Sequence, residues 1–249
     1  SERDLADAKW WGYEYTFNQM FGAQSGIPTF LMNFHKVDTV ADARAYIARL
    51  NGVKDLMAQH LENTRSSAAK GIRPPAFVYD HVIRDAENAL KGAPFADVEN
   101  YSDLLNDFSD KVKGLDLPGD EEQALLKDAM TALLTTYKPA YQDLIAEMKA
   151  QRAQADTKDG AWKLPDGAEF YAHRLKRMTT TDMSADEIHE LGLAEVARIH
   201  AEMRAIMKKV GFEGTLLANA SSSTLAFADS KPPNSSVSFK RVKNESYSC

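Results

Sequence analysis

The sequence predicts an all-α fold, an irregular multi-helix bundle of long antiparallel helices followed by a non-helical C-terminal tail. Through residues 1–214 the apolar side chains recur three, four or seven positions apart, and no segment alternates as a strand does. From residue 215 the chain becomes rich in serine and loses this period. We therefore expect a helical domain over residues 1–214 and a loop or disordered segment over residues 215–249.

The first third of the chain predicts a pair of successive helices. Residues 1–23 carry many aromatic side chains, which favours a buried helix or helix edge, and the Gly-Ile-Pro sequence at 26–28 should break it. An amphipathic helix should run from residue 38 or 39 to about residue 70, where Gly71 ends it. The prolines at 74 and 75 suit the first turn of the next helix, and the short connection favours antiparallel packing. Its inner face would be Phe77, Val78, Val82, Ala86 and Leu90.

The middle of the chain predicts one short and one long helix. Ser102 is a plausible cap for the short helix, which contains Leu104, Leu105, Phe108 and Val112. The long one should cover about residues 121–155 and contains Pro139. Because proline lacks an N–H and clashes with the preceding turn, we expect a kink or break near Tyr137 or Lys138.

The clearest helix signals lie between residues 162 and 211. A Leu-Pro-Asp-Gly turn at 164–167 leads into a short helix, and Ser184 with Glu187 forms a capping box that begins a longer one. Gly211 ends this helix, and one apolar stripe should face inward. The stripe comprises Ile188, Leu191, Val196, Ile199, Met203, Ile206 and Val210.

Composition excludes several function classes. The net charge is -6 and the isoelectric point is near 5.6, which argues against a nucleic-acid partner because binding needs a basic face. No apolar run approaches the ~20 residues of a transmembrane helix, and no signal segment opens the chain. The single cysteine, Cys249, cannot form an internal disulfide.

Motifs for catalysis and metal binding are missing from the sequence. None of the 6 histidines belongs to a His-Glu-x-x-His pair, and His189 and His200 lie roughly 16 Å apart along one helix, too far to share an ion. A metal site built from His173, His189 and Glu190 is the one alternative that distant segments offer. No Gly-x-Ser-x-Gly elbow and no glycine-rich phosphate loop is present. We predict no catalytic residue and no metal ligand.

Several strings resemble one bacterial family. These are WKLPDGAEFY (162–171), TTTD (179–182), SADEIHELGLAEV (184–196), GIRPPAFVY (71–79) and residues 30–50. Over about residues 5–214 the chain resembles domain-of-unknown-function family 885. That resemblance implies a mostly helical protein similar to zinc metallopeptidases, with the zinc-binding helix in a C-terminal half. We expect this chain to correspond to the N-terminal helical portion, with a divergent or frame-shifted tail after about residue 214.

The resemblance also implies a function. The full-length family protein would be a zinc-dependent peptide hydrolase, and this chain would form one wall of its substrate cleft without holding the metal. The residues we expect to contact the peptide substrate are Tyr171, Arg174 and Thr180. An exported or membrane-anchored parent and a homodimer formed through an exposed helical face are further expectations.

Three alternatives stay open. The chain could be a non-catalytic helical module that binds a peptide or a protein partner, and an exposed apolar patch would favour that. It could be a non-metal hydrolase such as an esterase, or a partly folded remnant without activity.

Overall fold

The computed structural model describes residues 7–212 and 214–215, and these residues form an all-α fold, as predicted. Between the ends of this described part no strand occurs, and one isolated bridge joins Ala93 and Tyr101. The predicted non-helical tail lies outside it from residue 216 onward. The helices are α1 (Ala23–Asn33), α2 (Val40–Ala69), α3 (Ala76–Asn88), α4 (Asp103–Lys113), α5 (Gly119–Ala132), α6 (Lys138–Arg152), α7 (Gly167–Thr179) and α8 (Ala185–Lys209).

The chain divides into two compact units, Ser1–Arg174 and Leu175–Cys249. The first unit contains α1 to α6 and most of α7, and the second contains α8. The predicted division between a helical domain and a tail at residue 214 stays a prediction, because residues 216–249 are not among those described.

The core of the first unit lies where α6 packs against both α2 and α3, with α1, α4 and α5 packed around them. Burial of large apolar and aromatic side chains is the main force that holds these helices together. The largest fully buried side chains include Tyr46, Leu50, Met57, Tyr79, Leu105, Phe108, Leu133, Tyr137, Tyr141, Leu144 and Met148.

Local signals place the helix ends where the sequence predicts them. Thr39 and Ser102 accept hydrogen bonds from the amides of Asp42 and Leu105 and so satisfy donors at the starts of α2 and α4. Gly71 follows α2 with a φ of 80°, a left-handed conformation that suits glycine. These caps explain why the predicted boundaries agree closely with the observed ones.

The predicted break near Pro139 takes the form of a π-helical turn, Leu133–Tyr137, between α5 and α6. Its wider register is visible where the amide of Lys138 donates to the carbonyl of Leu133 five residues earlier. Since Pro139 cannot donate to the carbonyl four residues before it, the wider turn relieves the clash without ending the helix.

The expected break at residues 26–28 is wrong, because α1 continues through Pro28. Proline leaves the carbonyl of Gln24 without its usual helical donor. The hydroxyl of Tyr141 donates to that carbonyl at 2.7 Å and replaces the missing bond. A tertiary contact across 117 residues therefore preserves a helix that the local sequence would interrupt.

Two expectations about burial also fail. Trp10 and Phe17 are buried, but Trp11 and Phe21 are 91% and 87% exposed, and turns replace most of the predicted N-terminal helix. Phe77, predicted on the inner face of α3, is 46% exposed because helical spacing places it nearly opposite the face that buries Val78, Tyr79 and Val82.

The apolar stripe of α8 does not face a core within the described residues. The capping box of Ser184 and Glu187 is formed as predicted, and the helix runs for 25 residues. Four stripe residues, however, are between 43% and 59% exposed, and Val210 just beyond the helix is 69% exposed. The four are Leu191, Val196, Ile199 and Ile206.

Candidate substrate-binding surface on α7

Polar contacts attach α7 to the N-terminal segment of the first unit. The Nε2 atom of His173 lies 2.8 Å from the Oδ1 atom of Asp7, and the Nζ atom of Lys9 lies 2.7 Å from the Oε1 atom of Glu169. The bond to Glu169 raises the pKa of Lys9. Because the Lys9 pair is exposed, its contribution to stability is small, and it serves mainly to orient the helix.

Aromatic packing supplies the apolar part of this attachment. The ring of Phe170 lies 5.6 Å from that of Trp10 and 5.0 Å from that of Tyr13, centroid to centroid. The rings of Trp10 and Tyr13 themselves meet edge to face at 5.0 Å. Such pairs are worth about 0.5–1.5 kcal/mol each beyond the area that they bury. They fix one face of α7 against residues far away in sequence.

Tyr171 and Arg174 lie three residues apart on α7 and are therefore neighbours on the helix surface. Tyr171 is 50% exposed. The Nη1 atom of Arg174 lies 2.7 Å from the Oε1 atom of Glu14 in an exposed ion pair. A guanidinium has further N–H donors that suit carbonyl or carboxylate oxygens, and the tyrosine ring offers an apolar face.

A tight turn precedes α7 and presents Trp162, which is 68% exposed. A Cβ atom at Gly160 would lie 2.0 Å from the Nε1 atom of Trp162, and one at Gly167 would lie 2.1 Å from the carbonyl oxygen of Ala161. Glycine is therefore required at position 167, where the close atom belongs to the backbone, whereas the exposed Trp162 side chain can move away from a Cβ atom at position 160. The side chain of Lys163 is only 6% exposed and binds Asp156 at 2.8 Å, a bond that lowers the pKa of that carboxyl.

Thr180, the third predicted contact residue, belongs to the second unit and ends α7. It has a φ of 59°, rare for a β-branched residue, and its amide donates to the carbonyl of Lys176 at 2.9 Å. Its described contacts are those of a helix C-terminus. Its predicted part in substrate binding stays a prediction, as do those of Tyr171 and Arg174.

Sequence reasoning missed the residues that position this surface. Glu14 lies 160 positions from Arg174, and Lys9 and Asp7 are equally remote from their partners, so no spacing could have indicated them. Gly167 had a local signal, since it ends the predicted Leu-Pro-Asp-Gly turn.

A second feature of the first unit is a small crevice of about 20 Å³ between the N-terminal segment, α2, α3 and α6. That volume holds about one water molecule. Tyr79 donates to Gln151 at 3.1 Å inside it, Gln151 donates to Glu147 at 2.8 Å, and burial raises the pKa of Tyr79 to about 12. These contacts satisfy buried polar groups of the bundle, and the crevice is too small for a peptide.

The described residues do not fit a zinc ion. From residue 7 to 212 and at 214–215, no three His, Cys, Asp or Glu side chains are grouped as metal ligands. The alternative set of His173, His189 and Glu190 is therefore not such a group, and His173 contacts Asp7 instead.

A membrane-spanning helix is likewise not found in the described part of the chain. The two helices that exceed the required length, α2 and α8, carry charged residues throughout.

Comparison with known proteins identifies relatives. The model of a family described as bacterial protein of unknown function, DUF885, matches residues 1–237, further than the 214 expected from the sequence strings. The match thus extends into the serine-rich segment. No curated protein matches the chain.

A solved structure described as a putative lipoprotein from Colwellia psychrerythraea resembles the chain with a TM-score of 0.71 and 26% sequence identity. The similarity covers 81% of this chain but 34% of the Colwellia protein, so the chain spans about a third of that protein's length. Together with the helices described above, the family match over residues 1–237 shows that this chain belongs to the DUF885 family of bacterial proteins.

Proposed function

We propose that this helical chain forms a substrate-binding wall of a peptide hydrolase. The zinc ion that the family resemblance implies would be held by the C-terminal half of the full-length family protein and not by this chain. No step of hydrolysis is assigned to the described residues, since they do not group as metal ligands. Their part in the reaction is to bind and orient a peptide.

The observation that carries this proposal is the placement of Tyr171 and Arg174 three positions apart on α7. Tyr171 is half-exposed, and Arg174, three positions further along the helix, contacts Glu14 and carries further N–H donors. A peptide offers both complements, because its carbonyl and carboxylate oxygens accept from the guanidinium and its side chains pack on the ring.

The test is peptide binding followed by nuclear magnetic resonance of the whole chain. The probe is a pentapeptide with a central phenylalanine and a free carboxyl terminus. We expect chemical-shift changes at the amides of α7 when the pentapeptide binds. Tyr171→Ala and Arg174→Ala should each lower the affinity for the pentapeptide about tenfold or more, a loss typical of residues that contribute much of the binding free energy. Arg174→Lys should recover only part of it, because lysine lacks the planar fork.

The matched control is Tyr101→Ala, which removes a tyrosine that is 41% exposed at a different place on the first unit. It should bind the pentapeptide as the wild type does. Equal losses in Tyr101→Ala and Tyr171→Ala, or shifts that avoid α7, would contradict the proposal.

A separate experiment tests whether this chain holds the zinc ion itself. The purified chain should bind no stoichiometric zinc in elemental analysis and should show no peptide cleavage that a chelator abolishes. Stoichiometric zinc together with chelator-sensitive cleavage would show that the chain carries the metal site itself.

A second candidate function is a non-catalytic module that binds a protein partner, and the exposed stripe of α8 favours it. The two candidates are separable because they use different helices. Peptide binding that depends on Tyr171 supports the first candidate, whereas partner binding that depends on the α8 stripe supports the second.

A further inference from the structure

The exposed stripe of α8 has a regular spacing that suits pairing with another helix. One side of α8 carries apolar side chains along most of its length, namely Ile188 and then Val196, Ile199, Met203, Ile206 and Val210 at intervals of three, four, three and four residues. At 100° per residue they fall within a sector of about 80°. A narrow apolar seam of this kind packs against one partner helix rather than into a broad core.

The charges of α8 are divided between its two ends. Asp186, Glu187 and Glu190 lie in the N-terminal part, while Arg204, Lys208 and Lys209 lie in the C-terminal part. In the middle, Arg198 pairs with Glu195 at 2.8 Å and with Glu202 at 2.6 Å within the same helix. The middle therefore carries a net charge of only -1, and the two ends keep opposite charge.

We propose that the α8 stripe binds the α8 stripe of a second copy of this chain, with the two helices antiparallel. If the two stripes align from Ile188 to Val210, residue 199 of one helix lies opposite residue 199 of the other, and Glu190 of each helix lies beside Lys208 of the other. A parallel arrangement would place acid beside acid and base beside base. The helix is about 37 Å long, so its ends lie beyond the Debye length of about 8 Å and each end acts on its nearest neighbour alone.

A two-fold axis makes this contact self-complementary. In an isologous dimer the same patch serves on both copies, so one stripe and one charge division satisfy both sides at once. The charge division also complements the dipole of α8 itself, since acids favour the N-terminus and bases the C-terminus. The experiments must therefore separate an effect on the helix from an effect on its pairing.

The first experiment measures the oligomeric state of the full chain by sedimentation equilibrium. The wild type should form a dimer. The double variant Ile199→Glu/Ile206→Glu places charges in the stripe and should raise the dimer Kd at least about 100-fold, because each copy loses two buried apolar side chains. The matched control Ala197→Glu/Ala201→Glu adds the same charges on the opposite, exposed face and should remain dimeric.

Circular dichroism of both double variants keeps the comparison valid, since equal helical signals show that neither variant has unfolded α8. A wild-type chain that is monomeric at every concentration would overturn the proposal, and another occupant would then cover the stripe. Equal weakening by the two double variants would overturn it as well.

The second experiment tests orientation. Reversing the basic end with Arg204→Glu/Lys208→Glu leaves both ends acidic and should weaken the antiparallel dimer, most strongly at low salt. Mixing this variant with Asp186→Lys/Glu190→Lys, whose ends are both basic, should restore association as a heterodimer. A parallel dimer predicts no change for the first variant alone, because its ends already repel, and that result would overturn the antiparallel assignment.

Discussion

The α2 helix of the first unit and the α8 helix of the second have the same type of sequence pattern, but their apolar faces differ in exposure. Both are long and amphipathic with a capped N-terminus. In α2 the apolar positions are buried, with Leu50 and Met57 exposed by 1% or less, whereas in α8 Leu191 and Ile199 are 51% and 43% exposed. Periodicity thus identifies which face of a helix seeks a partner, and it does not identify the partner.

The largest expected effect is a difference in the free energy of unfolding that is lost when a leucine is shortened in the first unit or on α8. Leu144→Ala removes a side chain of the first unit that is 0% exposed and should lower the free energy of unfolding by about 2–5 kcal/mol. Leu191→Ala changes a half-exposed leucine on α8 and should change it by no more than about 0.5 kcal/mol. Urea unfolding followed by circular dichroism at low protein concentration measures both. Similar losses would show that the α8 stripe is buried in solution.

The next effect compares two glycines. Gly167→Ala directs a Cβ atom to 2.1 Å from the backbone oxygen of Ala161 and should cost about 1–3 kcal/mol, because backbone cannot move aside as a side chain can. Gly192→Ala lies inside α8, where a Cβ atom meets nothing within 4 Å, and should stabilise the helix by about 0.5–1 kcal/mol. Thermal unfolding of the two variants should shift in opposite directions, and shifts of the same sign would refute the close approach at the start of α7.

A third prediction concerns the buried contact that preserves α1. Tyr141→Phe leaves the carbonyl of Gln24 buried without a donor and should cost about 1–3 kcal/mol. In the Pro28→Ala background an amide at position 28 can donate to that carbonyl, so Tyr141→Phe should cost clearly less. A double-mutant cycle in urea unfolding measures the difference. Additive effects of the two substitutions would show that the hydroxyl does not replace the missing helical bond.

These contacts mark the limit of prediction from sequence. The starts of α2, α4 and α8 were predictable because their caps are local, within three residues of the amides that they serve. The continuation of α1 through Pro28 was not, since it depends on a hydroxyl 117 residues away. Local chemistry sets helix ends, and tertiary contacts decide whether an interruption is tolerated.

The same distinction applies to the candidate surface. Tyr171 and Arg174 were predicted from the aromatic and basic residues of the segment 162–181, and their adjacency follows from helical spacing. The attachment of α7 to Glu14 and Trp10 could not be read from the sequence, because nothing in a single chain pairs positions 160 residues apart. The position of the surface is thus a tertiary property, while its composition is a local one.

The smallest expected effect concerns the pH dependence of stability, to which buried and exposed histidines should contribute differently. His35 is 6% exposed and its Nε2 atom lies 3.2 Å from the carbonyl of Asp42, and burial together with the neighbouring Arg49 lowers its pKa. The folded chain therefore favours neutral His35. Since an unperturbed histidine titrates near 6.5, the unfolded chain takes up the proton first as the pH falls through that value. The stabilisation is complete above about pH 6.5 and is lost toward the lower pKa of the folded state.

Urea unfolding at pH values above and below this range should show that His35→Gln loses less stability on acidification than the wild type does. Burial also lowers the pKa of His60, so the remaining pH dependence should fall again in His35→Gln/His60→Gln. His200→Gln, on the exposed surface of α8, serves as the control and should follow the wild type. Equal losses of stability on acidification in His35→Gln and in the wild type would show that the folded chain does not favour neutral His35.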